Sequence, residues 1–272
     1  MGDSKDYPLG YSSQEAQRLK DQGALIEEFT EDVLRRAGLQ RGMRVLDIGS
    51  GVGDVSLLVA RMVGDDGAVL GIDKASSSVE TARQRVAALG VKNVCFENSD
   101  LAEFTTDKKF DAIVGRFVLT YVSDPARVLR SLTQHLKPGA IVAFQELDMS
   151  QISQVPASEL FIRARQWLLE AFAAGGAELD MGTNLYATFL HAGLPAPNMI
   201  AATPVSGGPA ASGYEQMAQV LRSLLPTIER TGIASSEEIG INTLAERLRD
   251  DAVANDRVLF MSRVVGAWAR FA

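Results

Sequence analysis

The chain has 272 residues, 46% apolar and 22% charged, which are the values of an ordinary globular protein able to bury a core. Lys and Arg number 27 against 34 Asp and Glu, and the net charge of −7 disfavours nucleic acid and anionic membranes as partners. One cysteine (Cys95) and two histidines (His135 and His191) exclude an intrachain disulfide and supply no cysteine-based metal site, so no metal is expected.

The opening residues are polar and show no apolar signal-type run. No stretch of about 18 uncharged apolar residues occurs, so no membrane span is expected. A soluble protein of the cytoplasm is the expectation, with a homodimer left open. Residues 1–42 read as a polar lead-in followed by a lid helix. Ser12 and Glu15 have capping-box spacing, and Ala16, Leu19, Ile26, Phe29, Val33 and Ala37 recur along one helical face up to Gly38. From residue 43 to 147 short apolar runs at 44–48, 68–72, 93–97, 111–115 and 140–144 alternate with amphipathic stretches near 54–63, 76–89 and 124–136. That rhythm predicts parallel strands joined by crossover helices. Ser77 with Glu80 predicts a capping box, and Asp124 before Pro125 predicts an N-cap.

After Glu146 the alternation stops. Residues 148–197 read as a helical cap, with helices at 157–174 and 183–192. Residues 198–272 read as the last strands of the core, at 198–205 and 257–271, around a helical insertion at about 206–256 with helices at 214–231 and 242–254. The expected fold is α/β: a seven-stranded, doubly wound, Rossmann-like sheet, mostly parallel with an antiparallel last strand. A helical lid should cover its carboxyl edge, where such sheets bind ligands.

The strongest chemical signal is VLDIGSGVGD, Val45 to Asp54. A strand ends in Asp47 and runs into Gly49, Ser50, Gly51 and Gly53, then into a helix. Glycines let a backbone turn tightly and approach a ligand. A dinucleotide fingerprint wants glycine at position 54, where this chain has Asp54. Acids at both ends of the loop suit a cationic ligand without phosphate, which disfavours a nicotinamide-dependent oxidoreductase.

Asp47, Gly49, Gly51 and Gly53 form a D-x-G-x-G-x-G motif, and with it the chain resembles the class I S-adenosylmethionine methyltransferases over about residues 43–146. The resemblance implies S-adenosylmethionine as cofactor, its amino-acid end held by the loop. It also implies that Asp73 in GIDKA, with Lys74 beside it, binds the ribose hydroxyls. Asp100 in NSDL would receive the adenine amino group, with Leu101 offering its backbone N–H and an apolar wall. Arg116 and Phe117 would lie where the chain passes the sulfonium. The start of the chain is similar to the ubiquinone C-methyltransferase group, which implies that Tyr11 and Gln22 close over the cofactor.

The acceptor is less legible. The segment Arg116-Phe117-Val118-Leu119 lacks the Asn/Asp-Pro-Pro motif of amide and nucleobase N-methylation. Tyr121, and Trp167, Phe172, Tyr186, Phe189, His191 and Tyr214 from the cap region, suit an apolar small molecule. His191 is the candidate general base, although its place at a helix end favours a structural role. The expected activity is in-line transfer of a methyl group to an O, N or C nucleophile of such a molecule, a secondary metabolite. The alternatives are a non-methylating cyclisation or rearrangement in the same pocket, and a binding module without activity.

Overall fold

The computed structural model describes residues 26–272. Tyr11, Gln22 and the Ser12–Glu15 capping box lie outside them. A helix over 26–37, α1, leads into β1 (Arg44–Ile48), α2 (Asp54–Val63), β2 (Ala68–Asp73), α3 (Ser76–Leu89), β3 (Val94–Asn98) and β4 (Phe110–Arg116). Then follow α4 (Pro125–Thr133) and β5 (Leu136–Asp148). Side chains alternate between the two faces of a strand. Val45 of β1 accordingly packs with α1 and α2 on one face, whereas Leu46 and Ile48 join the cluster on the other. These residues are apolar on both faces because helices cover both, and each fully buried Leu, Ile or Val contributes about 1.5–3 kcal/mol.

The remaining elements are β6 (Ser153–Val155), α5 (Glu159–Ala174), α6 (Met181–His191), β7 (Asn198–Ala202), β8 (Val205–Gly207), α7 (Gly213–Thr231), α8 (Ser236–Ile239), α9 (Leu244–Ala254), β9 (Val258–Phe260) and β10 (Arg263–Arg270). The main sheet has the order β3-β2-β1-β4-β5-β10-β7, with β10 antiparallel to both of its neighbours. The expected seven-stranded α/β architecture is therefore present. The reversal of order between β2-β1 and β1-β4 puts a crevice at the carboxyl ends of β1 and β4.

Two excursions build the cap, and both leave from that same edge. One follows Asp148 at the end of β5. The other runs from Ala202 to Arg263, and the pairing of Val264 with Ala202 and of Arg263 with Asp148 fixes its ends. Helices α5, α7 and α9 share one apolar cluster with Met149 and Leu259. Strands β6, β9 and β8 form a separate three-stranded sheet.

Several expectations are corrected. The stretch 257–271 is not one strand: it breaks at Met261–Ser262, β9 joining the cap sheet and β10 the main sheet. The stretch 198–205 likewise breaks at Thr203–Pro204, where the proline cannot donate to a ladder and its carbonyl instead accepts from the Met261 N–H at 2.9 Å. Helix α6 does not belong to the cap; Met181, Leu185 and Phe189 pack on the main sheet, and Phe189 meets Phe144 edge-on at 6.4 Å. Its N-terminus is pinned by buried Asp148, which accepts from the Thr183 N–H at 2.7 Å and the Arg263 Nε–H at 2.9 Å. Ser77 and Glu80 do not cap α3, which begins at Ser76 with Ala75 as N-cap. Asp124 does cap α4, accepting from the Arg127 N–H at 2.9 Å.

Candidate active site

A cavity of about 600 Å³ lies between the carboxyl edge of the sheet and the cap. That is within the usual span of small-molecule pockets, about 300–1,000 Å³. Its floor is the turn after β1. Gly49 and Gly51 have φ of +61° and +52°, a region that costs an L-residue with a Cβ about 1–2 kcal/mol. Gly49 is also hemmed in, since a Cβ there would sit 2.8 Å from the Cβ of Val118; beside Gly51 the space is open.

The structure ties this turn to β2. One oxygen of Asp73 accepts from the Gly51 N–H and the other from the Ala75 N–H, both at 2.8 Å. Burial pushes the Asp73 carboxyl up, and the Ala75 and Gly51 N–H groups pull it back. Each oxygen keeps capacity to accept a further donor. Gly49, Ser50, Gly51, Asp73, Lys74, Asp100, Leu101, Arg116 and Phe117 all line the cavity. Asp100 receives the Ala102 N–H at 2.8 Å, which holds the turn after β3 in place.

Asp47 and Gly53 do not line it. Asp47 is buried beneath the turn and accepts the Ser56 hydroxyl at 2.6 Å. Burial pushes its carboxyl up to about 7, against the pull of that hydroxyl and of Arg116. A Cβ on Gly53 would meet the Phe96 ring at 2.9 Å, so that glycine serves the packing of α2 rather than a ligand. Asp54 does line the cavity, and its charge is met by Arg85 at 2.8 Å.

Arg116 lines the cavity at the end of β4. Its Nη1 donates to Thr30 Oγ1 at 3.1 Å, and the Thr30 hydroxyl lies 3.1 Å from Gln145 Oε1, so α1 is coupled to the ends of β4 and β5. Burial lowers its pKa, while Asp54, Asp47 and Glu27 pull the other way. Phe117 follows in a left-handed conformation, φ +58°, with the Arg116 guanidinium 5.9 Å from its ring centroid. Such a φ in an aromatic residue signals a turn that the surroundings enforce.

The cap side of the cavity combines apolar side chains with Ser206, Ser212, Gln216, Gln219 and Ser262. Of the expected acceptor-side rings, Tyr121 lines it, and so does Phe172. Trp167 and Tyr214 are instead buried in the cap's own core. Tyr186 is 49% exposed on the outer side of α6. His191 is exposed at the end of α6, where its carbonyl accepts from Arg130, and it does not line the cavity. His135 is buried, with Phe104 edge-on to its ring. Sequence reasoning missed Met149, Met217 and Met261, which give the apolar wall a flexible, polarizable surface. It read Glu146 only as the end of a strand, whereas the structure makes it a fully buried cavity residue at the end of β5. Among the described residues no cluster of His, Cys, Asp or Glu fits a metal ion, and no helix is long and apolar enough to cross a membrane.

The arrangement fits an adenosyl ligand. The buried Ser50 hydroxyl has no hydrogen-bond partner, and the open space beside Gly51 leaves room for a ligand against the backbone. Comparison with known proteins points the same way. Residues 39–184 match the family model described as a methyltransferase domain, which is more than half of the chain. Over 120 residues the chain is 32% identical to the demethylmenaquinone methyltransferase of Geobacillus kaustophilus, covering 44% of this chain and 51% of that one. It is 37% identical over 119 residues to the ubiquinone/menaquinone biosynthesis C-methyltransferase UbiE of Azotobacter vinelandii, covering 43% and 47%. The chain thus spans about half the length of these relatives. The YcgJ protein of Bacillus subtilis superposes with a TM-score of 0.57 at 16% identity, over 90% of this chain and 100% of that one, a likeness of fold. The chain belongs to the methyltransferase-domain family.

Proposed function

We propose that this chain moves the methyl group of S-adenosylmethionine onto a nucleophilic atom of an apolar small molecule. The observation that carries this is the continuity of the cavity. One space joins the glycine turn and the acids after β2 and β3 to the methionine-rich wall of the cap. When bound, the cofactor supplies a methyl group on a positively charged sulfur, which leaves as a neutral thioether.

The residues divide the work by their chemistry. Asp73 accepts two ribose hydroxyls on oxygens already oriented by backbone N–H groups. Asp100 accepts the adenine amino group, and Leu101 forms an apolar wall beside the purine. The Gly49–Gly51 turn cradles the amino-acid end. Arg116, a partly buried cation at that end of the cavity, pairs with its carboxylate, a better partner than the sulfonium would be. Tyr121, Phe172 and the three methionines hold the acceptor and exclude water. Holding donor and acceptor about 3–3.5 Å apart in line supplies several kcal/mol of the barrier reduction. An acceptor that already presents a lone pair attacks without a base, whereas methylation at a ring carbon of a hydroquinone displaces the ring proton, which is released to water as the aromatic ring is restored.

The named relatives act in quinone biosynthesis, so demethylmenaquinone in its reduced, electron-rich form is the first acceptor to test. Purified protein, S-adenosylmethionine and this hydroquinone are incubated and followed by mass spectrometry. Methyl transfer yields S-adenosylhomocysteine together with an acceptor heavier by one methylene. Conversion of the acceptor without S-adenosylhomocysteine would replace methyl transfer by a rearrangement. If neither this hydroquinone nor a panel of apolar phenols, amines and enols is methylated, the proposal fails.

A further inference from the structure

Among the buried ionisable groups that the roles above leave unused, Glu146 is the one that lines the cavity. Glu146 is fully buried at the end of β5, and no ion pair among the described residues involves it. Its Oε1 accepts from the Val118 N–H at 3.0 Å and the Leu119 N–H at 2.7 Å, while Oε2 has no hydrogen-bond partner. Burial pushes the acid up to about 8, against the pull of the Leu119, Val118 and Thr120 N–H groups. Burial thus favours its protonated, neutral form.

The backbone it holds is the turn that borders both halves of the cavity. Phe117 is in the left-handed region, and its N–H donates to the Gln145 carbonyl at 2.8 Å. The Val118 side chain closes the space over Gly49 of the donor turn. The Thr120 hydroxyl donates to the Glu178 carbonyl at 2.6 Å, and Tyr121 faces the acceptor side. One carboxyl group thus fixes two consecutive N–H groups: Val118 touches the donor loop, and Leu119, packed in the core of the main sheet, leads into the cavity residues Thr120 and Tyr121. Two N–H groups left without an acceptor in so buried a place would drive the turn to rearrange.

We propose that Glu146 is a positioning residue: by holding the Val118 and Leu119 N–H groups it sets the Phe117 turn, and through Val118 it sets the height of the Gly49 loop on which the methyl donor lies. This rests on reading the cavity as the methyl-transfer site.

Two variants separate positioning from mere stability. Glu146→Gln keeps an oxygen facing both N–H groups and matches the neutral acid in shape. Glu146→Leu keeps the approximate volume and removes the acceptor. Each is checked for native near-ultraviolet dichroism and then titrated calorimetrically with S-adenosylhomocysteine. Amide resonances of Gly49, Val118 and Leu119 are recorded on the ligand-free protein. The leucine variant is expected to bind at least tenfold more weakly and to shift the Gly49 resonance, and the glutamine variant to recover affinity to within threefold of the parent. A folded leucine variant with parental affinity and an unmoved Gly49 resonance overturns the proposal. So does a glutamine variant no better than leucine. Should the leucine variant not fold, Val118→Ala carries the test: at least a fivefold loss supports the proposal, and unchanged affinity overturns it. A parent that failed to bind the nucleoside would sink the functional reading alone. The Gly49 resonance, read without ligand, would still decide whether Glu146 sets the loop.

Discussion

Gly49 and Gly51 lie two residues apart in the same left-handed backbone region, yet alanine should affect them differently. At both positions the Cβ costs about 1–2 kcal/mol in backbone strain. At Gly49 it would also press on Val118, 2.8 Å from its Cβ, and overpacking of this kind adds about 1–3 kcal/mol. At Gly51 nothing lies within 4 Å, and the residue lines the cavity. Gly49→Ala is thus expected to lose about 2–5 kcal/mol of stability, the sum of the two contributions, and Gly51→Ala about 1–2 kcal/mol from strain alone. Urea unfolding of the ligand-free proteins reads the difference. Calorimetry with S-adenosylhomocysteine should show Gly51→Ala binding at least tenfold more weakly, because its methyl group takes room from the ligand. Equal destabilisation of the two variants, or a Gly51→Ala protein with parental affinity, would refute this account of the turn.

Three further outcomes follow from the same geometry. Arg263→Ala strips buried Asp148 of its ion partner and leaves it only the Thr183 donors; a loss of about 2–3 kcal/mol is expected in urea unfolding, below the range for a fully buried pair because the arginine is 38% exposed. Glu146 is pushed from 4.5 up to about 8 in the folded protein, so the folded state keeps a proton that the unfolded chain has released. Its effect on stability is therefore absent below about pH 4.5, and stability falls as pH rises through that window; the parent should lose ground to Glu146→Gln between pH 5 and pH 8, and parallel pH curves would contradict this. His191→Ala, whose side chain lies away from the cavity, should leave the turnover of a methylated acceptor unchanged, and a hundredfold loss would restore histidine as the base.

Much of this is readable from residues alone, for identifiable reasons. The bounds of α2 and α3 follow from glycine turns and an apolar stripe, both local signals. The acids at 73 and 100 stand at strand ends, and only a parallel sheet brings those ends together. The hydrogen bond from Gly51 to Asp73 is not legible, because it depends on how closely β1 and β2 pack. Met181, Leu185 and Phe189 show the same helical stripe whether the partner is a sheet or another helix, so the pattern alone does not keep α6 out of the cap. Trp167 and Tyr214 cannot be told from cavity rings, since an apolar pattern marks burial and not what lies beyond it. Glu146 reads only as the end of a strand because an acid closing an apolar run gives no sign of the backbone N–H groups it will meet. The two strand breaks have one visible cue, Pro204, and at Met261–Ser262 none.

The central claim is that the strand-end acids hold an adenosyl cofactor, and Asp73 carries the most of it. Calorimetric titration of the parent and of Asp73→Asn with S-adenosylmethionine tests this directly. The account predicts one molecule bound per chain and an affinity at least thirtyfold weaker in the variant, which keeps the shape of the side chain but replaces an acceptor oxygen by a donor. No binding by the parent, or equal affinity in the two proteins, would contradict it.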